Sequence, residues 1–382
     1  MIPARAEVVI IGGGVMGTSI AFHLAETGVT DILLLERDEL GAGSTSKAAG
    51  GVRANFSDEL NITLGARSLE AFARFGERPG QEIDLHRVGY LFLLSSPEQV
   101  ELFEQSTRLQ NAAGQPTRMI DVAEAVRLAP IVSPDGLTAA CFSPNDGHCT
   151  PESVVLGYAS AARRLGAKLV TGCEVLGIDS VGNEIRSVRT SRGVVETSTV
   201  ICTAGAWSGP LAAMVGVDLP VTPLRRQIVV TDAIPGLPRD LPMTIDFSST
   251  FYFHREGPGL LVGMSDPEEE PGFFLGRSDA WLPRLTATME QRAPSLLEVG
   301  LAGGWAGLYE NTPDHNALIG EADGISRFLY ATGFSGHGFL QGPAVGEVIR
   351  DLYLGRTPFV DVSPLDARRF HTSTLRAEQN IV

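Results

Sequence analysis

The sequence predicts an α/β fold in which a parallel-sheet domain is interleaved with an α+β domain built on a mostly antiparallel sheet. Three observations carry this expectation. Short apolar, β-branched runs at 7–11, 32–35, 167–170 and 200–202 have the composition of strands buried on both faces of a parallel sheet. Alternating runs broken by Gly, Asn and Pro at 174–197 and 221–264 read as antiparallel strands. The two kinds of segment take turns along the chain, so the domains are interleaved rather than strung in a row.

In chain order, residues 7–11 (EVVII) form the first strand and GGGVMG opens a helix pattern that runs through Thr18–Thr27. Ile32–Leu35 make the second strand, ending in Glu36 and completing a βαβ unit. The small-residue loop GAGSTSKAAGGVR fills 41–53, where glycine pairs permit close packing against another group. A helix is expected at 58–75 with Leu60, Leu64, Leu69 and Phe72 on one face. Then come a strand at 89–94, a polar amphipathic helix at 97–112, and a helix at 151–165 whose Pro151 and Glu152 suit a first turn. Residues 174–197 read as a β-meander, 278–293 as a helix, and about 338–353 as the last helix. The polar tail after Pro358 is expected to be loose or laid on the surface.

Composition narrows the function. At 382 residues the chain has room for about two domains of ~150 residues. Its net charge of −15 makes a nucleic acid an unsuitable partner. No run of about 18 apolar residues predicts a membrane span, and no signal-like leader precedes the first strand. Cys141, Cys149, Cys173 and Cys202 have no metal-ligand spacing and read as buried thiols of a cytoplasmic protein, with no metal site expected. There are 28 Arg but two Lys, Lys47 and Lys168, so any role that needs a lysine has two candidates.

The motif with chemistry is Gly12, Gly14 and Gly17, a GxGxxG directly after a strand and opening a helix. Gly12 permits the sharp turn, Gly14 lets backbone approach a pyrophosphate at the helix N-terminus, and Gly17 allows close helix–strand packing. Glu36, 19 residues past Gly17, can accept from a ribose diol and disfavours a 2′-phosphate. The arrangement predicts a Rossmann-like dinucleotide site. At 333–340, GFSGHGFL precedes a helix, so free N–H groups and a positive dipole end point toward a ligand.

Four segments, IIGGGVMGTSIAFHLAETG, LLERDELGAGSTSKAAGGVR, VICTAGAWS and ATGFSGHGFLQGPAVGEVI, resemble the FAD-dependent D-amino-acid-oxidase superfamily in its sarcosine oxidase and glycine oxidase branch. The pattern is most similar to the β subunits of heteromeric sarcosine oxidase and L-proline dehydrogenase. The resemblance implies a FAD domain at 1–88, 150–218 and 302–382 and a substrate domain at 89–149 and 219–301. It implies that Gly12, Gly14, Val15, Met16, Gly17, Glu36 and Arg37 hold the ADP part. Gly43, Ser44, Thr45, Ser46, Lys47, Ala49, Gly50 and Gly51 would follow the pyrophosphate and flavin. Val175 would hold adenine through its backbone, with Ala204, Gly205 and Trp207 beside the cofactor. Gly307, Gly333, Gly336, His337, Gly338, Phe339 and Leu340 would surround the flavin ring, the last helix facing its N1–C2=O edge. Arg53 matches an arginine that grips a substrate carboxylate, while Tyr252, His254, His315, His337 and Lys47 are the other candidate catalytic groups.

Departures from the family pattern matter as well. Gly307 and Pro151 stand where relatives attach a flavin covalently, so non-covalent FAD is expected. Leu340 and Leu261 stand where monomeric sarcosine oxidases carry lysines, for the carboxylate and for oxygen respectively. The implied activity is oxidation of a small amino acid or secondary amine, such as sarcosine or proline, to an imine, with electrons passed to oxygen or another acceptor. A 2-hydroxy acid dehydrogenase, a subunit active only in a hetero-oligomer, and a tailoring oxidase for a larger amine stay open, as does homo-oligomerisation.

Overall fold

The computed structural model describes residues 2–371 and 375–380. Its first unit is β1 (Val8–Ile11), α1 (Val15–Glu26) and β2 (Ile32–Leu35). The helix begins three residues before the expected Thr18, because GGGVMG itself supplies the first turn. β1 and β2 pair in parallel inside a six-stranded sheet ordered Leu318–Glu321, Phe328–Thr332, Val200–Cys202, β1, β2, Lys168–Val170. Only the edge strand Leu318–Glu321 runs antiparallel.

Alternation explains the apolar runs of this sheet. Val8, Ile10, Ile32 and Leu34 face one core, shared with α1 and the last helix, Gly338–Tyr353. Val9, Ile11, Leu33 and Leu35 face another, roofed by the meander Val175–Val181, Glu184–Thr190 and Gly193–Glu196. Both faces of β1 and β2 are buried, so no polar residue interrupts these two strands.

The second large sheet has eight strands, ordered Leu301–Asn311, Thr222–Thr231, Gly259–Met264, Phe251–Glu256, Met243–Asp246, Tyr90–Leu94, Ala139–Ser143, Arg118–Ile120. All its pairings are antiparallel except that of Met243–Asp246 with Tyr90–Leu94. The chain therefore alternates between the two sheets, as its sequence suggested. The glycine-crowded stretch 303–307 lies in the long strand Leu301–Asn311, paired along its length with Thr222–Thr231. A boundary at 302 thus falls inside this sheet, which keeps the chain as far as Asn311.

The tail departs from expectation too. Residues 363–371 form two 3-10 turns, and further on Glu378 and Asn380 are buried, with 2% and 0% of their surface exposed. Glu378 accepts from the backbone N–H and hydroxyl of Ser57 and from Asn61, at the start of helix α2 (Glu59–Ala73). Glu378 and Asn380 are held inside because most of their polar groups meet partners, Asn380 Oδ1 excepted.

Candidate active site

The carboxyl ends of the parallel strands and one face of the antiparallel sheet enclose a cavity of about 370 Å³. This is the crevice in which doubly wound sheets bind ligands. One end is lined by Gly12, Gly14, Glu36, Arg37 and Val175, the other by Tyr90, Arg226, Tyr252 and Tyr309.

The first end is built by local packing. Gly12 has φ +112°, and a Cβ there would lie 2.3 Å from the carbonyl oxygen of Thr203. A Cβ on Gly17 would lie 1.9 Å from the Gly12 carbonyl oxygen, so α1 seats directly on the turn. The N-cap, Gly14, offers no side chain to the free N–H groups of the first turn. Thr45 Oγ1 accepts from Val15 N–H at 3.2 Å and ties the small-residue loop to this turn. The Glu36 carboxylate accepts from Gly13 N–H at 2.7 Å and from Asp38 N–H at 2.8 Å, which fixes it at the cavity wall. Arg37 lies 3.9 Å over the Trp207 ring at this end.

A second helix end opens on the same cavity. The N-cap of the last helix, His337, makes no capping bond through its side chain, and Gly338, Phe339 and Leu340 line the wall with Gly336. His337 is buried and its pKa is pushed well down by burial, with Arg53 adding to the effect. It is thus neutral, and its Nε2 accepts from Arg53 Nη2 at 3.0 Å.

Of the residues singled out in the sequence, most line the cavity: Gly12, Gly14, Val15, Met16, Glu36, Arg37, Gly43, Ser44, Thr45, Lys47, Ala49, Gly50, Gly51, Arg53, Val175, Ala204, Gly205, Trp207, Tyr252, Gly307, Gly336, His337, Gly338, Phe339 and Leu340. Gly17, Ser46 and Gly333 do not, and act behind the wall. Gly333 N–H donates to Glu310, which is buried at the wall with its pKa raised to about 6 by burial.

Two expected catalytic histidines are also set back. His254 stacks on His148, ring centroids 4.2 Å apart, and its ring nitrogens lie 2.8 Å from the carbonyls of Ala49 and Arg255. It shares a strand face with Tyr252 but is used up bracing the loop. His315 stands in a positive-φ turn and is absent from the lining.

Sequence reasoning missed Tyr90, Arg226, Tyr309 and Glu310 as lining residues. Alternation on Tyr90–Leu94 and on Thr222–Thr231 gives two faces without saying which meets a cavity. Burial raises the pKa of all three lining tyrosines, so they stay hydroxyls at ordinary pH.

The chain matches the model of the FAD dependent oxidoreductase family over residues 7–352. It belongs to that family. It is 31% identical to the mitochondrial dimethylglycine dehydrogenase of Rattus norvegicus over 96% of this chain and 45% of that protein. It thus spans under half the length of the dimethylglycine and sarcosine dehydrogenases it matches. Among solved structures it is similar to L-proline dehydrogenase from P. horikoshii, with TM-score 0.91, 33% identity, and 98% and 100% of the two chains covered. Glycine oxidase from Geobacillus kaustophilus superposes with TM-score 0.85 at 25% identity, again over 98% and 100%. The family cofactor is FAD, and the glycine turn, the fixed Glu36 carboxylate and the two uncapped helix ends fit it. No membrane-spanning helix occurs among the described residues.

Proposed function

We propose that this chain oxidises a small secondary or tertiary amine that carries a carboxylate, of the N-methylglycine or proline class, to an imine or, from a tertiary amine, an iminium. The observation that carries this reading is one cavity with a dinucleotide cradle at one end and a tyrosine-lined, arginine-bearing pocket at the other. The names of the relatives point to the same substrate class.

Bound FAD would supply a two-electron acceptor for the C–H bond next to nitrogen. Glu36 and the N-terminus of α1 would hold its ADP part without a covalent bond. The last helix would present fixed N–H donors from Gly338 to Leu340 where negative charge builds up. Tyr90, Tyr252 and Tyr309 would desolvate the amine and so favour its neutral form, which alone releases a hydride equivalent. The cations Arg53, Arg226 and Lys47 would draw in an anionic substrate.

The reading extends to a cytoplasmic setting, supported by four buried free thiols, and to oxygen or another electron acceptor. An anaerobic screen of amines and amino acids, followed by bleaching of the flavin band, tests it. Sarcosine, dimethylglycine or proline should bleach the holoprotein, and the reading fails if only 2-hydroxy acids do.

A further inference from the structure

Two arginines stand at the substrate end, and they differ in what their donors already do. Arg53 Nη2 donates to His337 Nε2 at 3.0 Å and to the Asn380 carbonyl at 2.6 Å, and Nη1 donates to the Asn55 carbonyl. A guanidinium grips a carboxylate through one of two edges, Nε with Nη2 or Nη1 with Nη2. Both edges need Nη2, and both Nη2 hydrogens are taken. Arg53 thus holds the loop, the last helix and the tail together and has no edge left for a ligand.

Arg226 is the reverse case. Its Nη1 donates to the Arg225 carbonyl at 3.2 Å, and Nε is buried without a partner. No acceptor among the described residues reaches Nη2, so the Nε–Nη2 edge is unspent. The guanidinium lies 5.2 Å over the Tyr309 ring, which sets its plane. Strand alternation turns the neighbouring Arg225 away from the cavity, where it pairs with Glu269 at 2.9 Å. Among the described residues no carboxylate lies within ion-pair distance of Arg226. A desolvated, oriented fork without an acceptor is the arrangement a ligand carboxylate completes.

We propose that Arg226, not Arg53, is the residue that binds the substrate carboxylate and so selects carboxylated amines. This rests on the proposed function only in taking this end of the cavity as the substrate end. The test uses the FAD-loaded protein and methoxyacetate, a carboxylate of sarcosine's shape with no amine to oxidise, titrated by its perturbation of the flavin visible band. Wild type should show saturable binding. Arg226→Gln should raise Kd about tenfold to a hundredfold, the loss of a charged hydrogen-bonded pair, with full flavin content. Arg226→Lys, which keeps the charge but not the fork, should recover part of it and serves if the glutamine variant does not fold. Arg225→Gln, the control, should bind as wild type does. The proposal is overturned if Arg226→Gln binds methoxyacetate as tightly as wild type, if it loses FAD, or if the wild-type holoprotein binds no carboxylate. Failure of the amine chemistry itself would look different: methoxyacetate would still bind, and no amine would bleach the flavin.

Discussion

The two ends of the cavity are built in opposite ways. The dinucleotide end is built mainly from one continuous stretch, β1, the glycine turn, α1 and β2, closed by contacts such as Gly17 on Gly12 and completed by Thr203, Trp207 and Val175. The substrate end is assembled from distant pieces: Arg53 and Asn380, 327 residues apart, share a hydrogen bond, and Tyr90, Arg226, Tyr252 and Tyr309 come from four different strands. The first end depends on shape and the second on hydrogen bonds between distant segments. Each should therefore fail in its own manner.

The largest effect is expected from Gly17→Ala. The new methyl would sit 1.9 Å from a backbone oxygen, so the turn and α1 must part. We expect purified protein without yellow colour and an apparent loss of roughly 5 kcal/mol or more, from the overlap and the missing cofactor together. The ratio of flavin to protein absorbance and the Tm measure it. A yellow variant of wild-type Tm would remove the claim that packing sets this end.

This contrast also explains what could be read from sequence. The glycine spacing, Glu36 and the helix from 338 to 353 are local signals, and the helix spans Gly338–Tyr353 as expected. The tail's polar composition reads as a loose or surface segment, and only the tertiary fold supplies the partners that bury Glu378 and Asn380. Arg226 lay next to Arg225 in sequence with nothing to distinguish them. What separates them is which side of one strand meets the cavity and which meets Glu269. The full extent of strand Leu301–Asn311 is not a local signal, because glycines, usually poor strand formers, crowd 303–307.

At the substrate end the next effect is one of pH. Asp146 is buried behind the loop, where Oδ1 accepts from Ala54 N–H and Oδ2 has no partner. Burial raises its pKa from 3.8 to about 7. The folded state then holds the proton over a range where the unfolded state has lost it. The stability tied to this group is whole below pH 3.8 and is lost as pH climbs through about 7, worth on the order of 4 kcal/mol. Asp146→Asn keeps the Oδ1 acceptor and cannot ionise. Urea unfolding from pH 4 to 8 should show the variant lacking this decline, and parallel curves would sink the assignment.

Glu378→Ala should rank below that, at about 3 kcal/mol. It strips acceptors from Ser57, Asn61 and the Asn380 N–H and frees the tail that holds Arg53. If the ends are independent, flavin retention stays near wild type while substrate KM rises. Loss of flavin in step with stability would mean that the tail supports both ends.

The smallest change is expected where the two ends meet. Lys47 lies on the cavity wall with its Cβ beside Gly307, where any larger residue would overlap it. Its backbone carbonyl accepts from Trp305 Nε1–H at 3.0 Å, so the main chain is held independently of the side-chain charge. Leu261, matched in the sequence to a lysine of monomeric sarcosine oxidases, is buried and apolar. Of the chain's two lysines, Lys168 is on an edge strand of the parallel sheet, which leaves Lys47 as the lysine on the cavity wall. Lys47→Met should keep the fold and the flavin. Its anaerobic reduction rate should change less than about threefold, while reoxidation by oxygen slows about tenfold through loss of one cation beside developing superoxide, ~1.4 kcal/mol of barrier. Stopped-flow of the two half-reactions separates them. An unchanged oxygen rate would close the lysine route to oxygen.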